Sequence, residues 1–263
     1  MIDTHCHLSM VLDEDKNIDY RKIDDILRQM EVARVTHAIT IGSNMRDSNI
    51  SIEIAKHYDN IYCAIGVHPE ELESFDVEQL EELIRQNLSG GKLVAIGEIG
   101  LDYYWRKDNK EEQIEIFKRQ IELAKKYDLP IVVHCRDAYG DVLSLLKEYA
   151  PFDKGGVIHC YSGSIEWAKE VIKLGFLISF TGVVTYPNAG NIQEVAKWVD
   201  VDKFMVETDS PFLTPVPFRG KVNNPSYVKY TLEYIANLKC ENVENLDEIT
   251  TNNANKLFKL KIK

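Results

Sequence analysis

The sequence predicts a parallel (β/α)8 barrel, and three observations carry that expectation. Short apolar runs alternate with longer amphipathic segments along the chain. Eight such runs recur at intervals of roughly 20 to 37 residues, each followed by a helical pattern. The length, 263 residues, is close to the roughly 250 that such a barrel needs. A doubly wound open sheet is the structural alternative.

Taken in order, the expected strands are Ile2–His7, His37–Ile41, Tyr62–Val67, Val94–Glu98, Ile131–His134, Val157–His159, Phe176–Phe180 and Phe204–Glu207. They are rich in Val, Ile and aromatic residues. Their apolar residues run on continuously rather than alternating, as strands covered on both faces require. Between them, Ile23, Ile26, Leu27 and Met30 fall at i, i+3, i+4 and i+7, and Ile114, Phe117, Ile121 and Ala124 form a similar stripe. Asp76 with Gln79 forms a capping pair that opens one helix, while Gly90 and Gly175 close others. Additional C-terminal helices, about 225–238 and 246–258, finish the chain. No linker, charge block or repeat interrupts residues 1–263, so a single domain is expected.

Composition narrows the function. With 42 acidic and 31 basic residues the formal charge is -11. That excludes a polybasic coating for DNA, and any nucleic-acid substrate then needs local positive charge, which bound divalent metals can supply. The five cysteines, at 6, 63, 135, 160 and 240, form no CxxC pair. A reducing, cytoplasmic setting is expected. Asp3, His5 and His7 interrupt any signal peptide, and no apolar run reaches the 18 or so residues of a membrane span. Nothing demands more than a monomer.

The informative residues lie where strands end. His5 and His7 end the first expected strand, Glu98 the fourth, His134 the fifth and His159 the sixth, and Asp209 follows the eighth. In a parallel barrel those ends meet at one mouth, where active sites are built. His5 and His7 share a strand face, so both imidazoles can reach one cation. Asp3 shares that face one layer deeper, as an orienting or a structural carboxylate. A carboxylate such as Glu98 at the end of an apolar strand is costly unless it is paired or metal-bound. Asp209 reads either as a turn cap before Ser210-Pro211 or as a ligand that takes a proton from metal-bound water. Cys135 and Cys160 point away from the adjacent histidines, which leaves them as packing residues.

Four histidines and two carboxylates suit one or two divalent cations with open positions. Imidazole favours Zn, Ni, Co or Mn, with Mg as the abundant ion, and the natural chemistry is hydrolysis. Neither a GxxxxGK[ST] nor a GxSxG stretch occurs. Substrate-contact candidates are Arg136, with an ion pair to Asp137 or Glu98 as its alternative, and His68, before Pro69 at the mouth of strand three. Tyr103, Tyr104 and Trp105 could stack on an unpaired base or simply pack at the rim. Arg106 and Lys107 add a small basic patch, and Glu207 is a second acidic candidate beside Asp209.

The strings Ile2-Asp3-Thr4-His5-Cys6-His7, Gly97-Glu98-Ile99-Gly100-Leu101-Asp102-Tyr103-Tyr104, His134-Cys135-Arg136-Asp137-Ala138, His159-Cys160-Tyr161-Ser162-Gly163 and Glu207-Thr208-Asp209-Ser210-Pro211 together resemble the TatD family of metal-dependent deoxyribonucleases. Gly66-Val67-His68-Pro69 and Arg219-Gly220 extend the likeness. The resemblance implies hydrolysis of DNA phosphodiesters, often 3′→5′ from single-stranded ends, with two divalent ions. It implies that His5, His7 and Asp209 hold one ion, that His134 and His159 hold the second, that Glu98 bridges them, and that Asp209 orients or deprotonates the attacking water. Asn223-Asn224-Pro225 departs from the Asn-Glu-Pro frequent in the family. Two other readings compete. One is an amidohydrolase-like enzyme acting on a lactone, C–N or phosphotriester bond. Such relatives often carry a bridging modified lysine on strand four, but Lys92 lies at the wrong end of that strand. The other is a non-catalytic metal- or partner-binding barrel, which would lack the water-activating Asp209.

Overall fold

A computed structural model describes residues 1–262. Its eight strands are β1 (Ile2–Cys6), β2 (His37–Ile41), β3 (Ile61–Ile65), β4 (Leu93–Asp102), β5 (Ile131–Arg136), β6 (Gly156–Ile158), β7 (Phe176–Phe180) and β8 (Phe204–Val206). They stand in sequence order within one sheet, and every neighbouring pair is parallel. The ring is drawn together just beyond β8. There Asp209 N donates to His5 O and His7 N to Ser210 O, both at 2.8 Å, and Thr4 Oγ1 donates to Val206 O. The expected (β/α)8 barrel is what forms.

Helices α1 (Tyr20–Val32), α2 (Met45–His57), α3 (Val77–Asn87), α4 (Lys110–Lys126), α5 (Tyr139–Glu148), α6 (Ile165–Lys173) and α7 (Gly190–Trp198) connect successive strands, and α8 (Val228–Lys239) and α9 (Val243–Phe258) follow β8. Side-chain oxygens start several of them by accepting otherwise unpaired amides. Asp76 accepts from Glu78 N and Gln79 N, and Gln79 Nε2 donates back to it, as the capping pair predicts. Gly175 takes a left-handed φ of 88° after α6. Beyond α3 that role falls to Gly91 rather than Gly90. Residues 225–227 form a 3-10 turn ahead of α8.

The apolar runs are buried on both sides. Ile23, Met30, Phe117 and Ile121 pack with Ile61, Ile65, Ile96 and Val133 between helices and strands. A second cluster joins Ile2, Ile39, Tyr62, Val94, Val132, Val157 and Met205 to Ala254 and Phe258 of α9, so α9 closes the end opposite the expected mouth. Among the described residues no helix is long and apolar enough to cross a membrane.

The largest departure from expectation is β4, which runs on to Asp102 instead of stopping at Glu98. Its register against β5 shifts between Ile96 and Ile99. Three steps along β4 there match two along β5, from Ile131 to Val133. The extra residue of this bulge re-aims the strand at Gly97-Glu98. Glycine is required on either side of Glu98. A Cβ on Gly97 would lie 2.6 Å from Val132 Cβ, and one on Gly100, at φ 147°, 2.0 Å from His134 O.

Candidate metal centre

The strand ends bring all six expected ligand residues together. Glu98 lies at the centre, 3 % exposed. Its Oε1 is 2.9 Å from His134 Nδ1 and 3.0 Å from His159 Nε2, and its Oε2 is 3.3 Å from His5 Nε2. Asp209 Oδ1 approaches His7 Nε2 at 3.2 Å and His5 Nε2 at 3.6 Å. Asp209 is held by a left-handed backbone, φ 57°, and by its amide bond to His5 O. The His5 and His159 rings stack at 3.9 Å.

Second partners fix the orientation of three imidazoles. His7 Nδ1 meets Ile41 O at 3.2 Å, His134 Nε2 meets Asp102 Oδ2 at 3.0 Å, and His159 Nδ1 meets Glu207 Oε1 at 3.0 Å. Carbonyl and carboxylate oxygens only accept, so each of these nitrogens carries the proton. The opposite nitrogen of each ring faces Glu98 or Asp209, and on giving up its proton it would turn a lone pair inward, as a metal ligand must.

Electrostatics agree. Burial alone would raise Glu98, yet His159, His68, His5 and the bond from His134 hold it well below the usual carboxylate range. Asp209 is lowered against its burial, chiefly by His7 and His159. Burial opposes protonation of His159, but Glu98 and Glu207 raise it well above its ordinary value. Lone pairs that converge at about 3 Å need a positive charge between them. In the metal-free molecule, protons supply it.

The donor set fits divalent cations, and His5 shows it most directly. Its Nδ1 and Nε2 are both buried without a hydrogen-bond partner, a costly arrangement that a bound cation would satisfy at Nε2. Three groups have ligand atoms all within 4.8 Å of one another: His5, His159 and Asp209; His5, His7 and Glu98; and His68, Glu98 and His134.

Several expectations are corrected. Glu207, expected as a second acidic candidate beside Asp209 and as a possible substrate contact, is a buried brace, 1 % exposed. It is engaged by His159, Cys160 N and Ser179 Oγ. Tyr103 is buried and donates to Asp141, so it presents no ring at the rim. Tyr104 and Trp105 are 50 % and 63 % exposed. The Arg136 guanidinium lies 3.9 Å from the Tyr104 ring centre and 5.5 Å from that of Trp105. Among the described residues Arg136 makes no ion pair. Asp3 accepts from His5 N, Thr208 N and Thr208 Oγ1, which makes it a structural tie between β1 and the segment after β8. His68 lies beside the ligands, with Nε2 3.6 Å from Glu98 Oε1. Sequence reasoning missed Asp102, which ends β4, braces His134 and accepts from Tyr104 N and Trp105 N. Its signal was the acid closing Ile99-Gly100-Leu101-Asp102.

A barrel whose mouth gathers buried imidazoles and carboxylates in this way defines a metal-dependent hydrolase, and the comparisons agree. A family model described as TatD related DNase matches residues 2–259. The chain is 42 % identical over 262 residues to the uncharacterized metal-dependent hydrolase YabD of Bacillus subtilis, covering 99 % of both. It is 37 % identical over 259 residues to the uncharacterized metal-dependent hydrolase YcfH of Escherichia coli K12, covering 98 % of this chain and 95 % of that one. Among solved structures, YjjV, a TatD homologue from Escherichia coli K12, superposes with a TM-score of 0.90 at 29 % identity over 98 % of each chain. The protein belongs to the TatD related DNase family.

Proposed function

We propose that this protein is a two-metal deoxyribonuclease that shortens DNA from single-stranded 3′ ends. The observation that carries the reading is the convergence of imidazole nitrogens from His5, His7, His134 and His159 on Glu98 and Asp209. The surroundings favour a polyanionic, partly aromatic substrate. Loop residues 210–224 carry Arg219 and Lys221 and no acid, and expose Phe212, Val216 and Val222. The Arg136–Tyr104–Trp105 stack offers a cation and two rings to an unpaired nucleotide. On the competing small-molecule reading, a strand-four lysine would serve as a ligand. Lys92 is instead committed to the carbonyls of Tyr58, Asp59 and Ile61.

In this mechanism His5, His7 and Asp209 would hold one cation and His134 and His159 the other, and Glu98 would serve both. Bound divalent ions would polarise the phosphodiester and acidify the attacking water. Asp209, kept ionised below the usual carboxylate range, orients that water and accepts its proton. Arg136 pairs with a flanking phosphate. The test is digestion of end-labelled single-stranded DNA by metal-stripped protein refilled with Mg, Mn, Co or Zn. We expect shortening from the 3′ end that depends on metal and drops about 10²–10⁴-fold in Asp209→Asn. Stoichiometric metal binding without any cleavage would overturn the nuclease reading and direct attention to lactone and amide substrates.

A further inference from the structure

His68 is the exception among the imidazoles of the mouth. It belongs to a His68–Glu98–His134 cluster of metal-binding dimensions, and spacing alone would make it a ligand. Its second partner says otherwise. The backbone N–H of Glu70 donates to His68 Nδ1 at 3.1 Å. An amide cannot accept, so Nδ1 carries the lone pair and the proton of the neutral ring sits on Nε2. His7, His134 and His159 are each paired outward to an accepting oxygen, which fixes a proton on the outer nitrogen and leaves the inner one to exchange its proton for a cation. His68 is paired outward to a donor and turns an N–H inward.

The ring is fixed in that role. His68 N donates to Ser43 O, and its carbonyl accepts from Glu71 N, so the residue is anchored on both sides of its side chain. Nε2 makes no hydrogen bond within the chain, and the side chain keeps 13 % exposure toward the mouth. A neutral imidazole N–H beside a cluster of anionic ligands suits an oxygen that gains negative charge during reaction.

We infer that His68 is not a metal ligand but a fixed Nε2–H donor to a non-bridging oxygen of the reacting phosphate. The identity of that oxygen rests on the nuclease reading; the exclusion of His68 from the metal set does not. Two measurements address the exclusion without any turnover. Imidazole ¹⁵N NMR of zinc-loaded protein is expected to show His68 protonated at Nε2 and free of metal. The same spectra should show His134 protonated at Nε2, and His7 and His159 at Nδ1. Metal analysis of dialysed protein is expected to give His68→Ala the wild-type metal content, whereas His134→Ala loses metal. A metallated His68 Nε2, or metal lost from His68→Ala, overturns the inference.

The third measurement addresses the donor role. On single-stranded DNA, His68→Ala is expected to lower kcat about 10²-fold with KM little changed, the loss typical of one transition-state donor. His68→Gln, whose amide N–H reaches toward the position of Nε2, should recover a large part of it. Wild-type kcat in His68→Ala overturns the donor role. If wild-type protein cuts no DNA with any metal, the phosphate falls as acceptor together with the nuclease reading. The NMR and metal content then still decide between donor and ligand.

Discussion

At the scale of single residues, the centre works by what stands behind the ligands. His134 is held by Asp102 and His159 by Glu207, and both carboxylates are essentially inaccessible to solvent. Removing such a brace frees the ring to rotate or to protonate the wrong nitrogen. Asp102→Ala is therefore expected to weaken binding of Mn or Zn about 10–100-fold in calorimetric titration, while the ligands themselves remain. The proposed ligands were legible in the sequence because each is a metal-type side chain at or just beyond the end of an apolar run. The braces were less so. Asp102 lies four residues beyond Glu98 and Glu207 two before Asp209, and only the three-dimensional pairing shows which imidazole each one serves. Tyr103 misled for a related reason, because chemistry alone does not say which face of a loop turns inward.

At the scale of elements, β4 carries the burden of placing Glu98. Its bulge and its two glycines let a ten-residue strand hold an inward carboxylate halfway along while still pairing with β5. Gly100→Ala is expected to cost about 3 kcal/mol or more in chemical denaturation, because its φ is unfavourable for alanine and the added Cβ meets the His134 carbonyl. His134 would shift with it, so metal affinity should fall in the same variant. The presence and order of the eight strands were readable, since period and composition report burial. The end of β4 was not, because an acid inside an apolar run looks like a terminator until a bulge shows that it continues.

At the scale of the whole molecule, the centre links stability to pH and to metal. Burial notwithstanding, His159, His134 and His7 are raised in the folded chain by their carboxylate partners. The stabilisation from their protonation is complete below the unfolded imidazole value of about 6.5 and is lost as pH rises through their folded values. Glu98 and Asp209 are lowered, so their share is complete above the unfolded carboxylate values of about 4 and is lost in acid. These are two sides of the same ion pairs. Metal-stripped protein should therefore show its highest Tm between roughly pH 4.5 and 6.5 and decline toward alkaline pH. Saturating metal replaces the protons with a fixed cation, so it should raise Tm and remove the alkaline decline. Thermal scans with and without chelator check this, and an unchanged alkaline limb with metal would contradict it.

The seam of the barrel bears on how the protein is made. His7 and Asp209 meet across 202 positions of sequence, and the bonds that close the ring join the first strand to the segment just past the eighth. A chain emerging from the ribosome presents His5 and His7 some two hundred residues ahead of Asp209 and could not bring the three together until nearly the whole barrel has been synthesised. Capture of the ion shared by His5, His7 and Asp209 would therefore follow ring closure, and the first strand must wait for its last partner. Truncated products ending before Asp209 would carry loose imidazoles but no hydrolytic centre. Acquisition of that ion would thus report that translation has passed the final strand.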